Sequence, residues 1–304
     1  MHLNRSLLFM PVSNTRAMDK ATSLPVDTVI LDLEDSVAAD VKANQTDLVR
    51  NALARDFGHR RCLLRINAID SPYWQDDIKA VLQALANGGH CDGVVLPKVE
   101  SVEQIDQCVE QLGQAANLGI WIMIETAAGL QRAAELCHYG KPVAAVIVGT
   151  ADLALDLGLP DPRFAERHCP QAFQPVQPRS GLLHSLSTLV TAARAAGIIV
   201  VDGVYPDFSD AEGFEREAWQ GLQLGFDGKS LIHPAQLEAT HRVFTPSAEE
   251  IAEAREMIDA WHAATGDSGG VFSYKNAMVE ELHIRQANAR IAIFEAAKNA
   301  DSGS

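Results

Sequence analysis

The 304-residue sequence has no run of about 18 apolar residues, the length a membrane-spanning helix needs. Its start, Met1-His2-Leu3-Asn4-Arg5, leads into a short apolar segment with neither the hydrophobic stretch nor the small-residue cleavage site of a signal peptide, so the expected location is the cytoplasm. Cysteine is scarce and scattered. Cys62, Cys91, Cys108, Cys137 and Cys169 are odd in number and include no Cys-x-x-Cys pair, which argues for reduced thiols and against disulfides or a thiolate metal site. Without a secretory route, the sequon Asn44-Gln45-Thr46 is a chance match. Basic charge is also in deficit. The 25 Lys and Arg face 40 Asp and Glu, a formal charge of -15 that repels nucleic-acid backbones and anionic membrane surfaces alike, so neither is an expected partner. Finally, no Gly-x-Gly-x-x-Gly follows the first apolar run and no Gly-x-x-x-x-Gly-Lys-Ser/Thr occurs anywhere, which removes the two commonest nucleotide fingerprints of open α/β sheets.

What is present is a core-forming composition, 47% hydrophobic, arranged as alternating short apolar runs and helical patterns. Eight runs occur, at 6–10, 28–31, 62–66, 93–96, 120–124, 143–148, 198–201 and 229–232. Segments such as 101–118 and 180–196 between them carry apolar residues three and four apart, as helices covering a parallel sheet require. Eight such units favour closure into a barrel. The proline-rich segment 158–178 has no periodicity and reads as a long loop or lid on the active face. A helical stretch at 247–264 is followed by a Gly-rich break at 266–270 and a second helical stretch from about 277 to 297. The expected organisation is a catalytic barrel over 1–264, then a hinge and C-terminal helical lid over 265–304. That lid is too small to hold a core alone, so it must pack on the barrel or on a neighbouring subunit.

The active face of such a barrel is formed by the C-terminal ends of the strands. Here these ends are polar: Asp32-Leu33-Glu34-Asp35, Arg65-Ile66-Asn67, Pro97-Lys98, Glu125-Thr126, Gly149-Thr150-Ala151-Asp152, Asp202 and His233-Pro234. Glu125 and Asp152 end adjacent strands, and two carboxylates with open water positions are the usual protein share of a Mg²⁺ site. On the residues alone a second reading stays open, in which Asp152 caps a helix and Glu125 is a surface acid. Asp32, Glu34 and Asp35 either hold metal-bound waters in an outer shell or are simply solvated. Arg65 suits a carboxylate or a developing enolate oxygen beside a metal, and would otherwise be an ion-pair partner. Lys98 either binds substrate or neutralises the acids. His233 reads as a hydrogen-bonded structural histidine, because no second histidine stands at metal spacing. Arg16 and Lys20, four apart on an expected first helix, could bind phosphate groups at the barrel rim.

In these motifs the sequence resembles the citrate lyase β-subunit-like group of the HpcH/HpaI aldolase superfamily, which includes malyl-CoA and citramalyl-CoA lyases. The stretches that carry the resemblance are Arg5-Ser-Leu-Leu-Phe-Met-Pro11, Leu31-Asp-Leu-Glu-Asp-Ser-Val37, Arg65-Ile-Asn67, Leu96-Pro-Lys98, Ile124-Glu-Thr126, Gly149-Thr-Ala-Asp-Leu153 and Gly225-Phe-Asp-Gly-Lys-Ser-Leu-Ile-His-Pro-Ala-Gln236. The resemblance implies a (β/α)8 TIM barrel with a C-terminal helical extension and a homo-oligomer, a trimer or a hexamer. It also implies Mg²⁺ held by Glu125 and Asp152, Arg65 facing the substrate, and Arg16 and Lys20 on coenzyme A phosphates. In such lyases a C-terminal segment presents an acid to an adjacent subunit, and Met278-Val279-Glu280 is similar to it, with glutamate in place of aspartate. Two further departures are Pro11-Val12 in place of Pro-Gly, and Leu186 near the place of an arginine.

The implied reaction is retro-Claisen cleavage of a 3-hydroxyacyl-CoA into acetyl-CoA and a 2-oxo acid, with Arg65 stabilising the enolate and Glu280 moving the proton. A malyl-CoA thioesterase or malate-synthase-like outcome, a citryl thioester lyase subunit of a citrate lyase complex, and a non-catalytic scaffold are the alternatives. The last is disfavoured, because a scaffold has no reason to retain a charge cluster that lowers stability.

Overall fold

The computed structural model describes residues 2–36, 45–115, 118–160, 179–265 and 270–302. The lid expected at 158–178 lies outside the described residues from 161 onward, as do 266–269 of the expected hinge, Cys169 and Asn44. The other four cysteines are buried and free, as their spacing suggested.

Eight strands form a closed parallel barrel in sequence order: β1 (Ser6–Pro11), β2 (Thr28–Asp32), β3 (Arg61–Arg65), β4 (Gly93–Leu96), β5 (Gly119–Ile124), β6 (Val143–Val148), β7 (Ile199–Asp202) and β8 (Gly228–Leu231). Each coincides within a residue or two with an apolar run, because strands covered on both faces by side chains or helices must be apolar on both. Leu7, Ile30, Leu63, Val95, Trp121, Met123, Ala145, Ile147 and Val201 fill the interior, so the barrel is a packed core with room only near one end. The helices that follow these strands are α1 (Thr15–Ala21), α2 (Gln45–Leu53), α3 (Trp74–Ala86), α4 (Val102–Leu112), α5 (Ala127–Gln131), α6 (Ala133–Cys137), α7 (Thr150–Asp156), α8 (Leu183–Ala196), α9 (Ala211–Leu224) and α10 (Leu237–Phe244). Leu186, at the place of the missing arginine, is fully buried on α8. The (β/α)8 TIM barrel expected from the pattern is the observed fold.

Alternation along β7 and β8 separates two kinds of polar residue at the strand ends. Val201 points inward, so its neighbour Asp202 points outward, and the expectation that Asp202 joins a ring of acids at the mouth does not hold. Asp202 is instead fully buried beneath α9, where Lys229 Nζ lies 3.1 Å from it and 2.7 Å from Glu217. Arg179 Nη1 contacts Asp202 at 2.6 Å, and its Nε lies 3.5 Å from Glu217.

The chain divides into two compact units, residues 4–240 and residues 241–304 together with the first three residues. The second unit contains α11 (Ala248–Thr265), the hairpin β9 (Phe272–Tyr274) and β10 (Ala277–Val279), and α12 (Glu281–Ser302). This boundary differs from 264/265, because α11 gives its apolar face to the extension. Trp261 is buried with Val279 and Ile284, and Met257, Ile258, Phe272 and Tyr274 pack on them. The helix expected from 277 begins only at Glu281, since Ala277, Met278 and Val279 pair antiparallel with Tyr274, Ser273 and Phe272. Among the described residues no helix is long and apolar enough to cross a membrane.

Candidate active site

One end of the barrel holds a cavity of about 380 Å³. Its lining combines the charged Asp32, Asp35, Arg65, Glu125 and Asp152 with the apolar Phe9, Met123, Ile147, Val204 and Ile232. Five of the site residues expected from sequence therefore share one space. Glu34 and Lys98 contact them from behind. Arg16 and Lys20 are exposed on α1 and do not line the cavity, and Glu280 belongs to the second unit, at the junction of β10 and α12.

Arg65 ends β3 pointing inward, two residues after the core residue Leu63. Its Nε and Nη2 donate to the two oxygens of Asp32 at 2.7 Å each, a bidentate pair that sets the plane of the guanidinium. Nη1 is left facing Glu34 at 3.1 Å and the exposed Asp35 at 3.3 Å. The Phe9 ring lies 4.9 Å beneath the guanidinium carbon. Burial pushes the Asp32 carboxyl up, but the Arg65 guanidinium outweighs it and the net shift is downward. Lys98 Nζ is paired with Glu34 at 2.7 Å, which favours the charge-neutralising reading of this lysine. Its backbone is left-handed, with φ of 51°, a conformation that costs energy in any residue but glycine. In that conformation the Lys98 N–H donates to Glu125 Oε1 at 2.9 Å.

Glu125, one residue beyond β5, is only 1% exposed. Burial, followed by the charges of Glu34 and Asp152, pushes its carboxyl up to about 7. It fits where it does because residue 149 is glycine: a Cβ there would lie 2.1 Å from Glu125 Oε2. Asp152 is half-buried in the first turn of α7, so it serves the cavity while remaining near the N-terminus of that helix. A carboxylate displaced in this way is relieved by a cation. Glu125 and Asp152 could hold one, since two carboxylates plus oxygens from water and ligand suit Mg²⁺. Among the described residues no cluster of three or more His, Cys, Asp or Glu forms a larger cage.

His233 Nδ1 accepts from the Ala235 N–H at 3.1 Å and the ring stacks on Phe208, contacts in keeping with a hydrogen-bonded histidine. Three residues at the cavity, quoted in the sequence only inside motifs, were given no role there. Thr150 and Ser230 carry no charge to draw notice, and Gly149 acts by what it lacks. For Ser230 the available signal was alternation, since it pairs with the inward Leu7.

The chain is similar to known proteins over nearly its whole length. The chain is 37% identical to a (3S)-malyl-CoA thioesterase of Cereibacter sphaeroides over 296 residues, covering 97% of this chain and 96% of that one. It is 33% identical over 308 residues to an L-malyl-CoA/beta-methylmalyl-CoA lyase of Rhodobacter capsulatus, with the same coverage. The structure of CitE from Mycobacterium tuberculosis in complex with magnesium, acetoacetate and coenzyme A matches 96% of this chain and 98% of that one, with a TM-score of 0.76 and 30% identity. With its residues 5–234 matching the corresponding family model, the chain belongs to the HpcH/HpaI aldolase/citrate lyase family.

Proposed function

We propose that the protein is a Mg²⁺-dependent carbon-carbon lyase that cleaves a 3-hydroxyacyl-CoA of the malyl or citramalyl type into acetyl-CoA and a 2-oxo acid. The observation that carries this reading is the surplus of carboxylate at Glu125 and Asp152 in the cavity that also contains Arg65. Glu125 and Asp152 would hold the ion. When bound, it supplies Lewis-acid polarisation of the substrate carboxylate and hydroxyl.

The chain's own groups do the rest. As the hydroxyl loses its proton to water, its oxygen becomes the carbonyl of the 2-oxo acid, the carbon-carbon bond breaks, and the electron pair of that bond passes to the thioester as an enolate. Asp32 holds the Arg65 guanidinium in one plane, and Arg65 stabilises the oxygen on which that charge develops. Glu280 delivers a proton to the enolate carbon, from its own or a neighbouring subunit of a homo-oligomer. Arg16 and Lys20 bind the coenzyme A phosphates. Asp32, Glu34 and Asp35 support the site through their ion pairs with Arg65 and Lys98.

A second reading is hydrolysis of malyl-CoA to free malate, favoured by the 37% identity to a thioesterase. Incubation with malyl-, citramalyl-, β-methylmalyl- and citryl-CoA plus Mg²⁺, with products identified by mass, separates the two. Glyoxylate, pyruvate or oxaloacetate establishes cleavage, free malate without glyoxylate establishes hydrolysis, and no turnover of any thioester overturns both. Glu125→Ala and Asp152→Ala are each expected to abolish Mg²⁺-dependent turnover, and activity retained in both variants refutes the metal assignment.

A further inference from the structure

One buried group in the cavity has no part in the proposed chemistry. Ser230 lies on β8 beside Leu7 of β1, and since Leu7 points into the barrel, so does Ser230. It lines the cavity with Phe9, Met123 and Ile147 and is 1% exposed. Its Oγ meets no hydrogen-bonding partner among the described residues. Buried hydroxyls are nearly always paired, because an unmet donor loses its hydration for nothing. Thr28 Oγ1 is likewise unmet, but Thr28 does not line the cavity, so of these two hydroxyls Ser230 is the one placed to meet a bound molecule.

The surroundings limit what that molecule can present. Arg65 is the only cation lining the cavity among the described residues, and in the proposed reaction it faces the thioester oxygen, which leaves no second cation for a further carboxylate. Apart from the acids, the rest of the lining is largely aromatic and aliphatic, with Phe9, Met123, Ile147, Val204 and Ile232. One hydroxyl can satisfy a single oxygen on such a floor, but it cannot compensate a second buried carboxylate.

We propose that Ser230 is a specificity-determining residue: its Oγ donates a hydrogen bond to an oxygen of the 2-oxo acid half of the substrate, on a floor that accepts hydrogen or methyl at the carbinol carbon and disfavours carboxymethyl. This rests on the lyase reading and extends it, selecting malyl-type and citramalyl-type substrates over citryl-CoA.

The test is calorimetric titration of glyoxylate, pyruvate and oxaloacetate, with Mg²⁺ present, into the wild type, Ser230→Ala and Ser230→Thr, with coenzyme A titrated separately. The wild type is expected to bind glyoxylate and pyruvate more tightly than oxaloacetate. Ser230→Ala weakens both by roughly tenfold and leaves coenzyme A affinity unchanged. Ser230→Thr keeps the hydroxyl and the glyoxylate affinity, while its added methyl weakens pyruvate. If Ser230→Ala fails to fold, Ser230→Cys, close in shape and a poorer donor, gives the same comparison. Equal 2-oxo acid affinities in wild type and Ser230→Ala, or an oxaloacetate preference in the wild type, overturn the assignment while leaving the lyase reading intact. A wild type that binds no 2-oxo acid and cleaves no thioester overturns both.

Discussion

Two clusters of charge are built into the barrel unit, and they are balanced differently. Beneath α9, Lys229 and Arg179 face Asp202 and Glu217, two cations against two anions in direct contact and buried. At the mouth, Arg65 and Lys98 face Asp32, Glu34, Asp35, Glu125 and Asp152, two cations against five anions around an open space. The carboxyls respond accordingly. Burial alone would raise Asp202, but Lys229 and Arg179 hold it below its ordinary value, whereas Glu125 is driven up to about 7. A balanced cluster is a structural tie. An unbalanced one retains charge that the fold does not satisfy, which is what a site for a cation requires.

The comparison can be broken most forcefully at Lys229. Replacing it by methionine leaves two buried carboxylates with one guanidinium, and should cost about 3–5 kcal/mol in urea unfolding. A loss below about 1 kcal/mol would contradict the structural role of that cluster. Next in size is Arg65→Ala, for which we expect about 3 kcal/mol in the barrier, or on the order of a hundredfold in kcat/KM. A change of less than about threefold removes Arg65 from the chemistry.

The two clusters should also differ in the sign of their pH dependence in metal-free protein. Glu125 in the fold titrates at about 7, above its ordinary 4.5, so it costs stability as pH rises from about 4.5 to 7 and no more beyond. This is on the order of 3 kcal/mol, and Glu125→Gln should flatten that limb in thermal unfolding across the range. Asp202 and Asp32, held below 3.8, contribute stability that is present above that value and lost as pH falls through their folded values. The acid limb should therefore survive in Glu125→Gln, and an unchanged neutral limb would count against the surplus at the mouth. The smallest effect is expected at Gly149→Ala. A Cβ there collides with Glu125, so about 1–3 kcal/mol of stability should be lost along with Mg²⁺ affinity, measured by calorimetry.

The barrel was legible in the sequence because strands buried on both faces must be apolar throughout, and all eight runs became strands. The charged lining of the cavity was legible for a related reason: Arg65, Glu125 and Asp152 sit where apolar runs end, and burying charge there is too costly to be incidental. Asp202 was misjudged because a strand end does not reveal which way its last side chain points. Only the inward placement of Val201 resolves that. The start of α12 was misread because the hairpin residues 277–279 carry an apolar pattern too short to distinguish a strand from the first turn of a helix. Ser230 and Gly149 were passed over because their importance lies in neighbours supplied by other strands.

Lys98 grips Glu125 with its main chain and Glu34 with its side chain. The first of these bonds belongs to the peptide unit, so exchanging the lysine for alanine would erase the second and spare the first. Side-chain scanning of this turn would thus understate its importance, and an ester in place of that amide, which removes the N–H and keeps the left-handed turn that proline could not adopt, would reveal what the backbone contributes.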